Sequence, residues 1–349
     1  MPIVQAADLE ALGQRIFEAA GASPAEAEAI VSSLVRANLA GLDSHGVIRI
    51  PQYLGLVRQG WMRFGQPVEV VRETATTAVL NGNWGPGQVC ARRATELALD
   101  KARRWGLGAV GLHHSNHVGR LGEYVLQLAE AGLLGLAVVN NHGTAQHTAP
   151  FGGIQGRLAT NPIAFAAPAN GHPPLVLDMT TSIVAEGKIR VLRNRGQRVP
   201  EGWILDGQGR PTTDPNDFYG EPRGVLLPLG GQVGYKGFGL GLMVELLAGG
   251  LSGAGCSGAA TAAAHPGNAL FILAIAIDPF LDRSAFEQQV ADFFAYVKSA
   301  PRQEGVEEIL IPGEPEVRTE QRRRAEGIPV DEETWRQIQE AAAGLGVAM

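Results

Sequence analysis

The chain has 349 residues, of which 45% are hydrophobic and 18% charged, a composition typical of a globular protein with a large core. Its formal net charge of −6 argues against non-specific binding of nucleic acid, which needs a basic surface. The two cysteines, Cys90 and Cys256, are too few for a disulfide framework or a four-thiolate zinc site, so a cytoplasmic location is expected.

The sequence predicts neither a signal peptide nor a membrane partner. Its first ten residues, MPIVQAADLE, contain no basic region and no long apolar run. The most apolar stretch, residues 269–277, has nine residues and is too short to span a bilayer. This stretch is instead typical of a buried strand.

The predicted elements begin with two helices and continue as a mixture of strands and helices. Apolar residues at helical spacing predict a helix that Gly21 closes, and the capping box of Ser23 and Glu26 predicts a second helix that ends near Ala40. Strands are predicted at 68–71, 77–80, 107–112, 134–140, 175–178, 269–277 and 309–311. Further helices are predicted at 89–105, 121–131, about 183–193, 238–247, 283–298 and from 316 onward. Residues 81–88 are predicted as a turn, and residues 196–235 as an irregular segment because they are rich in Gly, Pro and Asp.

The segment from Gly106 to Gly111 contains the pattern GxGxxG, which elsewhere marks a dinucleotide-binding Rossmann unit. That function requires the glycines to follow a strand and open a helix, so that the helix N-terminus meets the pyrophosphate. Here they follow a predicted helix and lie in a predicted strand. We therefore interpret them as the end of a helix and a closely packed strand.

Five of the eight histidines occur within 35 residues and follow two predicted strands. They are His113, His114, His117, His142 and His147. Ligand crevices form at strand ends, so these side chains indicate a polar cleft. A metal site is the alternative, although only Glu123 could add an acidic ligand nearby.

The segment that begins at Ser44 carries a second set of reactive groups. His45 could exchange a proton with a substrate hydroxyl or carbonyl, and Arg49 could hold a carboxylate through two hydrogen bonds. Tyr53 could add a phenolic hydroxyl. The alternative interpretation is a capping Ser44 beside a surface histidine.

Two further segments could contact phosphate. Residues 177–182 (LDMTTS) end a strand with an acid and hydroxyls, and Asp178 could also orient a histidine. Residues 230–239 form a glycine-rich loop around Lys236, but its spacing does not match that of a P-loop. The alternative for Thr181 or Ser182 is a simple helix cap.

Nine segments in order carry a resemblance to a known family. They are SHGVIRIPQY (44–53), SNHVGRLGEY (115–124), APFGG (149–153), ATNPIAFAAP (159–168), LVLDMTTSIVAEGKI (175–189), PEGWILDGQGRPTTDP (200–215), PLGG with GYKGFGLGLMVELLA (228–248), IDPF (277–280) and IPGE (311–314). The chain resembles the malate/L-lactate dehydrogenase family that lacks a Rossmann fold, whose relatives include sulfolactate and ureidoglycolate dehydrogenases, diketogulonate reductase and piperideine-2-carboxylate reductase. The resemblance covers about residues 40–325.

The resemblance implies a mixed α/β (α+β) fold in three parts. A mainly helical domain would comprise residues 1–75 and 316–349, so that C-terminal helices join the N-terminal ones. A non-Rossmann α/β domain that binds NAD or NADP would comprise residues 76–182 and 262–315, and residues 183–261 would form a helical and loop segment. A homodimer is also implied.

The resemblance further implies site residues. The catalytic residues would be His45 and His117. From its chemistry alone, Asp178 is added as the residue that orients His45. Ser44, Arg49 and Tyr53 would bind the substrate. The cofactor would contact Asn141, Leu177, Asp178, Met179, Thr180, Thr181, Ser182, Tyr235, Lys236, Gly313, Glu314 and Pro315.

The sequence departs from the family pattern at two places. Gln232 and Val233 separate two glycine motifs that are more often contiguous, and the loop 141–153 carries two histidines where other members are often smaller and more apolar. Both departures bear on the choice of substrate and cofactor.

The hypothesis at this stage is hydride transfer between a nicotinamide and C2 of a small 2-hydroxy or 2-oxo acid, such as malate, lactate or sulfolactate, with no metal. One alternative is reduction of a cyclic imino acid. An alternative of another class is a hydrolase or lyase that uses a histidine-bound metal.

Overall fold

The structure is a computed structural model that describes residues 1–143, 145–259 and 267–349, apart from the side chains of His142 and Asn194. Within these residues the α-helices are α1 (Ala6–Ala19), α2 (Pro24–Leu39), α3 (Ile50–Arg58), α4 (Gly87–Trp105), α5 (Gly122–Glu130), α6 (Glu186–Asn194), α7 (Pro215–Phe218), α8 (Tyr235–Val244), α9 (Arg283–Lys298), α10 (Glu314–Glu326) and α11 (Glu332–Gly344). The strands are β1 (Ile3–Val4), β2 (Glu69–Glu73), β3 (Thr77–Gly85), β4 (Leu107–Ser115), β5 (Leu133–His142), β6 (Ile163–Ala167), β7 (Leu175–Met179), β8 (Ile204–Leu205), β9 (Pro211–Thr212), β10 (Val225–Leu226), β11 (Gly267–Ala276) and β12 (Ile328–Pro329).

Seven of the described strands form the main sheet, in the order β2-β3-β4-β11-β5-β6-β7. β3 and β4 run parallel, whereas the other neighbouring pairs in this sheet are antiparallel. β11 lies in the middle and pairs with β4 and β5, which confirms the prediction of a buried strand at 269–277. A Rossmann sheet is mostly parallel, so the predicted mixed, non-Rossmann fold is confirmed.

The buried apolar side chains form separate clusters. The largest lies between the main sheet and the helices α4 and α5, and includes Leu112, Leu128 and Ile272. A second joins α1, α2 and α3 to the C-terminal α11, and a third lies among residues 184–226. The C-terminal part thus packs on the N-terminal helices. The predicted domain boundaries stay a prediction, and the one at 261/262 lies outside the described residues.

The pattern GxGxxG serves helix–sheet packing in this fold. Gly106 ends α4 in the left-handed conformation, with φ of 82°, and donates its N–H to the carbonyl of Ala102. Gly108 lies under α4, where a Cβ atom would be 1.9 Å from the carbonyl oxygen of Ala98. Only glycine allows this close approach, so these glycines have a structural cause that does not involve a nucleotide.

Most predicted elements are confirmed, and the differences have local causes. The strand predicted at 309–311 is wrong: Ile311 packs by its side chain, and Pro312 accepts one hydrogen bond from Val176 of β7, but no ladder forms. β3 continues through the predicted turn to Gly85. β6 was not predicted from the sequence, and α3 was not predicted because Pro51 can end a helix as well as occupy its first turn.

The described part of the chain contains no helix that is long and apolar enough to cross a membrane.

Candidate active site

The segment 43–49 forms two short 3₁₀ turns between α2 and α3. Asn38 of α2 fixes this segment, because its amide donates to the Asp43 carboxylate at 2.7 Å and accepts the Val47 N–H at 2.8 Å. Arg323 of α10 donates two hydrogen bonds to the same carboxylate, at 2.6 and 3.1 Å. Both ends of the chain therefore hold the turn that carries the predicted catalytic residues.

A cavity of ≈ 470 Å³ lies beside this turn. Five predicted site residues line it, namely Ser44, His45, Arg49, His117 and Asn141. The sequence places them on three separate segments, and the fold brings them together because the ends of β4 and β5 face the turn before α3. Their roles in binding and catalysis remain predictions that this geometry supports.

The two candidate catalytic histidines lie side by side. The rings of His45 and His117 stack with their centroids 5.6 Å apart and their planes 26° apart. Burial, together with the positive charges of Arg49 and Arg120, lowers the pKa of His45 to about 3. Burial lowers the pKa of His117 well below its usual value, again with Arg49 contributing. Both imidazoles are thus neutral at pH 7 in this structure.

Different hydrogen bonds orient the two imidazoles. Nδ1 of His45 lies 3.0 Å from the Ser44 hydroxyl, and Nδ1 of His117 lies 2.7 Å from the Tyr53 hydroxyl. Tyr53 is completely buried and is not among the residues that line the cavity. Its predicted contact with the substrate carboxylate stays a prediction, and in this structure its hydroxyl is directed at His117.

Gln88 of α4 completes this arrangement and was missed by the sequence analysis. Its side-chain amide is fully buried and donates to the Tyr53 hydroxyl oxygen at 3.0 Å. A glutamine in the first turn of a helix carries no recognisable sequence pattern, and only the packing of α4 against α3 reveals its contact.

Arg49 supplies a positive charge to the cavity. Its guanidinium donates to the Ser44 carbonyl at 2.7 Å and to the Gln52 side chain at 2.6 Å, and no carboxylate among the described residues forms a salt bridge with it. On the cavity wall, Arg190 is paired with Glu186 at 2.6 Å. Arg223 also lines the cavity, with its guanidinium over the Phe218 ring. Three arginines and one carboxylate make the cavity electropositive.

Asp178 contacts neither catalytic histidine. Its carboxylate accepts the Gly122 N–H at 2.7 Å and lies 3.9 Å from Arg120, and no hydrogen bond or salt bridge joins it to His45 or His117 in the described structure. Burial raises its pKa, an effect that Gly122 and Arg120 oppose. The groups that orient the histidines are Ser44 and Tyr53, and the predicted orienting role of Asp178 has no contact to support it.

Apart from Asn141 in β5, the predicted cofactor residues lie in β7 or near its two ends. At its C-terminal end, the Leu229 N–H donates to the Thr181 carbonyl, and the Leu229 carbonyl accepts the Gly237 N–H. These bonds bring residues 177–182 next to Tyr235 and Lys236. At the other end, Gly313, Glu314 and Pro315 begin α10, where Glu314 is paired with Lys298 at 2.6 Å. A ligand that contacted both groups would have to extend along the whole edge strand.

The other histidines do not form one cluster. His147 lines the cavity, and burial lowers its pKa to about 4. His113 and His114 contact each other through Nδ1 atoms 3.0 Å apart, away from the residues that line the cavity. The side chain of His142 lies outside the described part of the structure. Among the described side chains, no group of three His, Cys, Asp or Glu residues could hold a metal ion.

Fold and site together define a mixed α/β protein with an electropositive cavity in which two neutral histidines adjoin an arginine. The family model for malate/L-lactate dehydrogenase matches residues 4–339, and the chain belongs to this family. It is therefore an oxidoreductase that acts as a hydroxy acid dehydrogenase, and this class implies a nicotinamide cofactor.

Comparisons with individual proteins agree with this family assignment. The chain is 40% identical to L-sulfolactate dehydrogenase of Methanothermobacter thermautotrophicus over 330 residues, which cover 93% of this chain and 90% of the relative. The malate dehydrogenase structure from Pyrococcus horikoshii superimposes with a TM-score of 0.89 and 32% identity, over 99% of this chain and 96% of that one. The Δ1-piperideine-2-carboxylate reductase structure from Pseudomonas syringae pv. tomato gives 0.84 and 31%, over 98% and 100%.

Proposed function

We propose that the protein transfers a hydride between NAD or NADP and C2 of a small 2-hydroxy or 2-oxo acid. The observation that carries this proposal is the cavity in which Arg49 adjoins His45 and His117 and has no carboxylate partner among the described residues. Arg49 would bind the substrate carboxylate, and the histidines would lie at the oxygen on C2. The nicotinamide supplies the hydride chemistry, and the protein supplies position and charge.

The uncharged groups of the cavity fit a nicotinamide. Asn116 lines the cavity beside His117, and its Oδ1 is buried without a hydrogen-bond partner among the described residues, so it could accept a carboxamide N–H. Asn141 and Thr160 add amide and hydroxyl groups to the same wall. Lys236, exposed at the beginning of α8 next to Thr181, could pair with a cofactor phosphate.

The charges of the cavity favour an acid with two anionic groups, such as malate or sulfolactate, over lactate. Arg49 would hold one group, and Arg223, which has no salt-bridge partner among the described residues, would attract the other. Reduction of a cyclic imino acid is the second candidate function, which the structural similarity to a piperideine-2-carboxylate reductase favours.

The test follows nicotinamide absorbance in parallel assays with NADH and NADPH. The substrates are pyruvate, oxaloacetate, sulfopyruvate, 2,3-diketogulonate and piperideine-2-carboxylate. We expect consumption of one cofactor, with kcat/KM higher for oxaloacetate or sulfopyruvate than for pyruvate. Fastest turnover of the imine would select the second candidate. If no substrate consumes either cofactor, and neither cofactor changes its fluorescence on titration, the proposed nucleotide site is refuted.

We also propose that two copies of the chain associate. Large apolar side chains are exposed on α8 and directly after it, including Leu242, Met243, Leu246 and Leu251. A patch of this kind on a globular protein is typical of an interface between proteins. Light scattering on the purified protein should give twice the chain mass of 36.8 kDa, and a mass of one chain at micromolar concentration would contradict the proposal.

A further inference from the structure

The direction of the hydrogen bonds around His117 in this structure is indicated by a backbone donor. The backbone N–H of Gly119 points at Nδ1 of His117, at 3.3 Å. Because an N–H can only donate, Nδ1 must present its lone pair, and the proton of the neutral ring is therefore on Nε2. Gly119 has φ of 82°, and a Cβ atom there would lie 3.2 Å from the Gln88 amide nitrogen, so this position favours glycine.

The donor and acceptor roles of Tyr53 and Gln88 follow from the lone pair on Nδ1 of His117. Since Nδ1 of His117 accepts, the Tyr53 hydroxyl donates its proton to it across 2.7 Å. The Tyr53 oxygen is then an acceptor, and the Gln88 amide N–H fills that role at 3.0 Å. The Gln88 carbonyl oxygen is buried and has no hydrogen-bond partner in the described structure. Among the described residues, the hydrogen bond of this side chain is therefore the one that its N–H donates to Tyr53.

We propose that Gln88 is a positioning residue that directs this chain and so keeps His117 as the tautomer with its proton on Nε2, facing the cavity. The proposal rests on the proposed function for its catalytic meaning. The Nδ1 edge of His117 is occupied by Tyr53 and Gly119, whereas the ring lines the cavity on its other side. His117 therefore presents an N–H donor to the oxygen on C2 of a bound 2-oxo acid.

In the direction of reduction, this arrangement supplies the proton that the oxygen on C2 takes up. A bound nicotinamide would supply the hydride to C2, and the carbonyl oxygen would take the proton from Nε2 of His117. Nδ1 of the same ring takes the proton of the Tyr53 hydroxyl, and the phenolate that remains accepts the Gln88 N–H. Burial raises the pKa of Tyr53 to about 12, yet a phenolate is still a much weaker base than an alkoxide, so the transfer is downhill. Water in the cavity then gives a proton to Nε2 of His117, and the proton on Nδ1 returns to the Tyr53 oxygen, which restores the starting tautomer before the next turnover.

The first test reads the tautomer without any activity. Nitrogen-15 NMR of histidine-labelled protein, with the His117 signals assigned from the spectrum of His117→Asn, should show protonated Nε2 and unprotonated Nδ1 at pH 7. In Gln88→Glu the new carboxylate accepts the Tyr53 proton in a charge-assisted hydrogen bond, which is stronger than the 3.3 Å bond from Gly119 to Nδ1. Tyr53 then no longer donates to His117, so we expect Nδ1 of His117 to become protonated. An unprotonated Nδ1 in Gln88→Glu, or a protonated Nδ1 in the wild type, would overturn the proposal.

Turnover provides the second test. We expect Gln88→Glu to lower kcat by about 10²–10⁴-fold, the loss expected when an acid–base histidine has the wrong tautomer. Gln88→Met keeps the shape but cannot accept a proton, so its kcat should fall by only about tenfold. Gln127→Glu on α5 makes the same chemical change away from the cavity and serves as the control. Equal losses in Gln88→Glu and Gln88→Met would mean that Gln88 only fills space. If the wild type has the predicted tautomer but reduces no 2-oxo acid, the proposed function fails and the tautomer assignment stands.

Discussion

Replacing His117 with glutamine should lower kcat for reduction of a 2-oxo acid by about 10²–10⁴-fold, the usual contribution of a positioned acid–base group. Glutamine can still form a hydrogen bond in the cavity, but it cannot give up a proton to the product oxygen. Cofactor affinity should stay near that of the wild type, because the change does not alter the charge at pH 7. Steady-state kinetics give kcat, and fluorescence titration with NADH or NADPH gives the affinity.

The matched control is His172→Gln, which makes the same substitution at an exposed histidine next to Phe294 of α9. This variant should keep wild-type kinetics. A kcat for His117→Gln within about twofold of the wild type would show that His117 does not supply the proton. His45→Ala should be measured in parallel, and we expect it to lose turnover too, since His45 stacks on His117 and lines the same cavity. Wild-type turnover in His45→Ala would remove that residue from the mechanism.

Replacing Arg49 with alanine should raise KM for a 2-oxo acid by about 100-fold, which corresponds to roughly 2.8 kcal/mol of binding free energy. Its guanidinium is held by the Ser44 carbonyl and the Gln52 side chain, so it is already oriented before a substrate arrives. Arg49→Lys should recover only part of this loss, because an ammonium group cannot form two parallel hydrogen bonds with a carboxylate. Steady-state KM values for the best substrate of the assay panel provide the measurement.

Arg58→Ala provides the comparison, since Arg58 is exposed at the end of α3, the helix that follows Arg49, and is not among the residues that line the cavity. Its KM should match that of the wild type. Because removal of Arg49 also removes a positive charge beside both histidines, the pKa values of His45 and His117 should rise toward their usual value in Arg49→Ala. An unchanged KM in Arg49→Ala would show that the carboxylate binds elsewhere, and Arg223 would be the next residue to replace.

The sequence by itself determined the elements whose signals are local. Ser23 and Glu26 form the predicted capping box at the beginning of α2, and the helix predicted at 283–298 has those boundaries in α9. Hydrophobic runs predicted most strands of the main sheet because burial on both faces requires continuous apolar side chains. The order of glycines, helix and strand around Gly108 was also enough to reject a Rossmann site. Family membership followed from nine motifs in order, and the comparison with known proteins confirms it.

Only the tertiary structure decided which of the candidate residues share a site. Ser44, His45, Arg49, His117 and Asn141 meet at one cavity, whereas His113 and His114 do not line it and Asp178 contacts Gly122 and Arg120 instead of a histidine. The hydrogen bonds of Tyr53 and Gln88 could not be predicted from the sequence, for a physical reason. Helical spacing fixes which face of α3 or α4 a side chain occupies, but the direction of a hydrogen bond depends on every donor and acceptor that surrounds it. Here the backbone N–H of Gly119 and the side-chain N–H of Gln88 set that direction, and they reach His117 and Tyr53 only after the chain has folded.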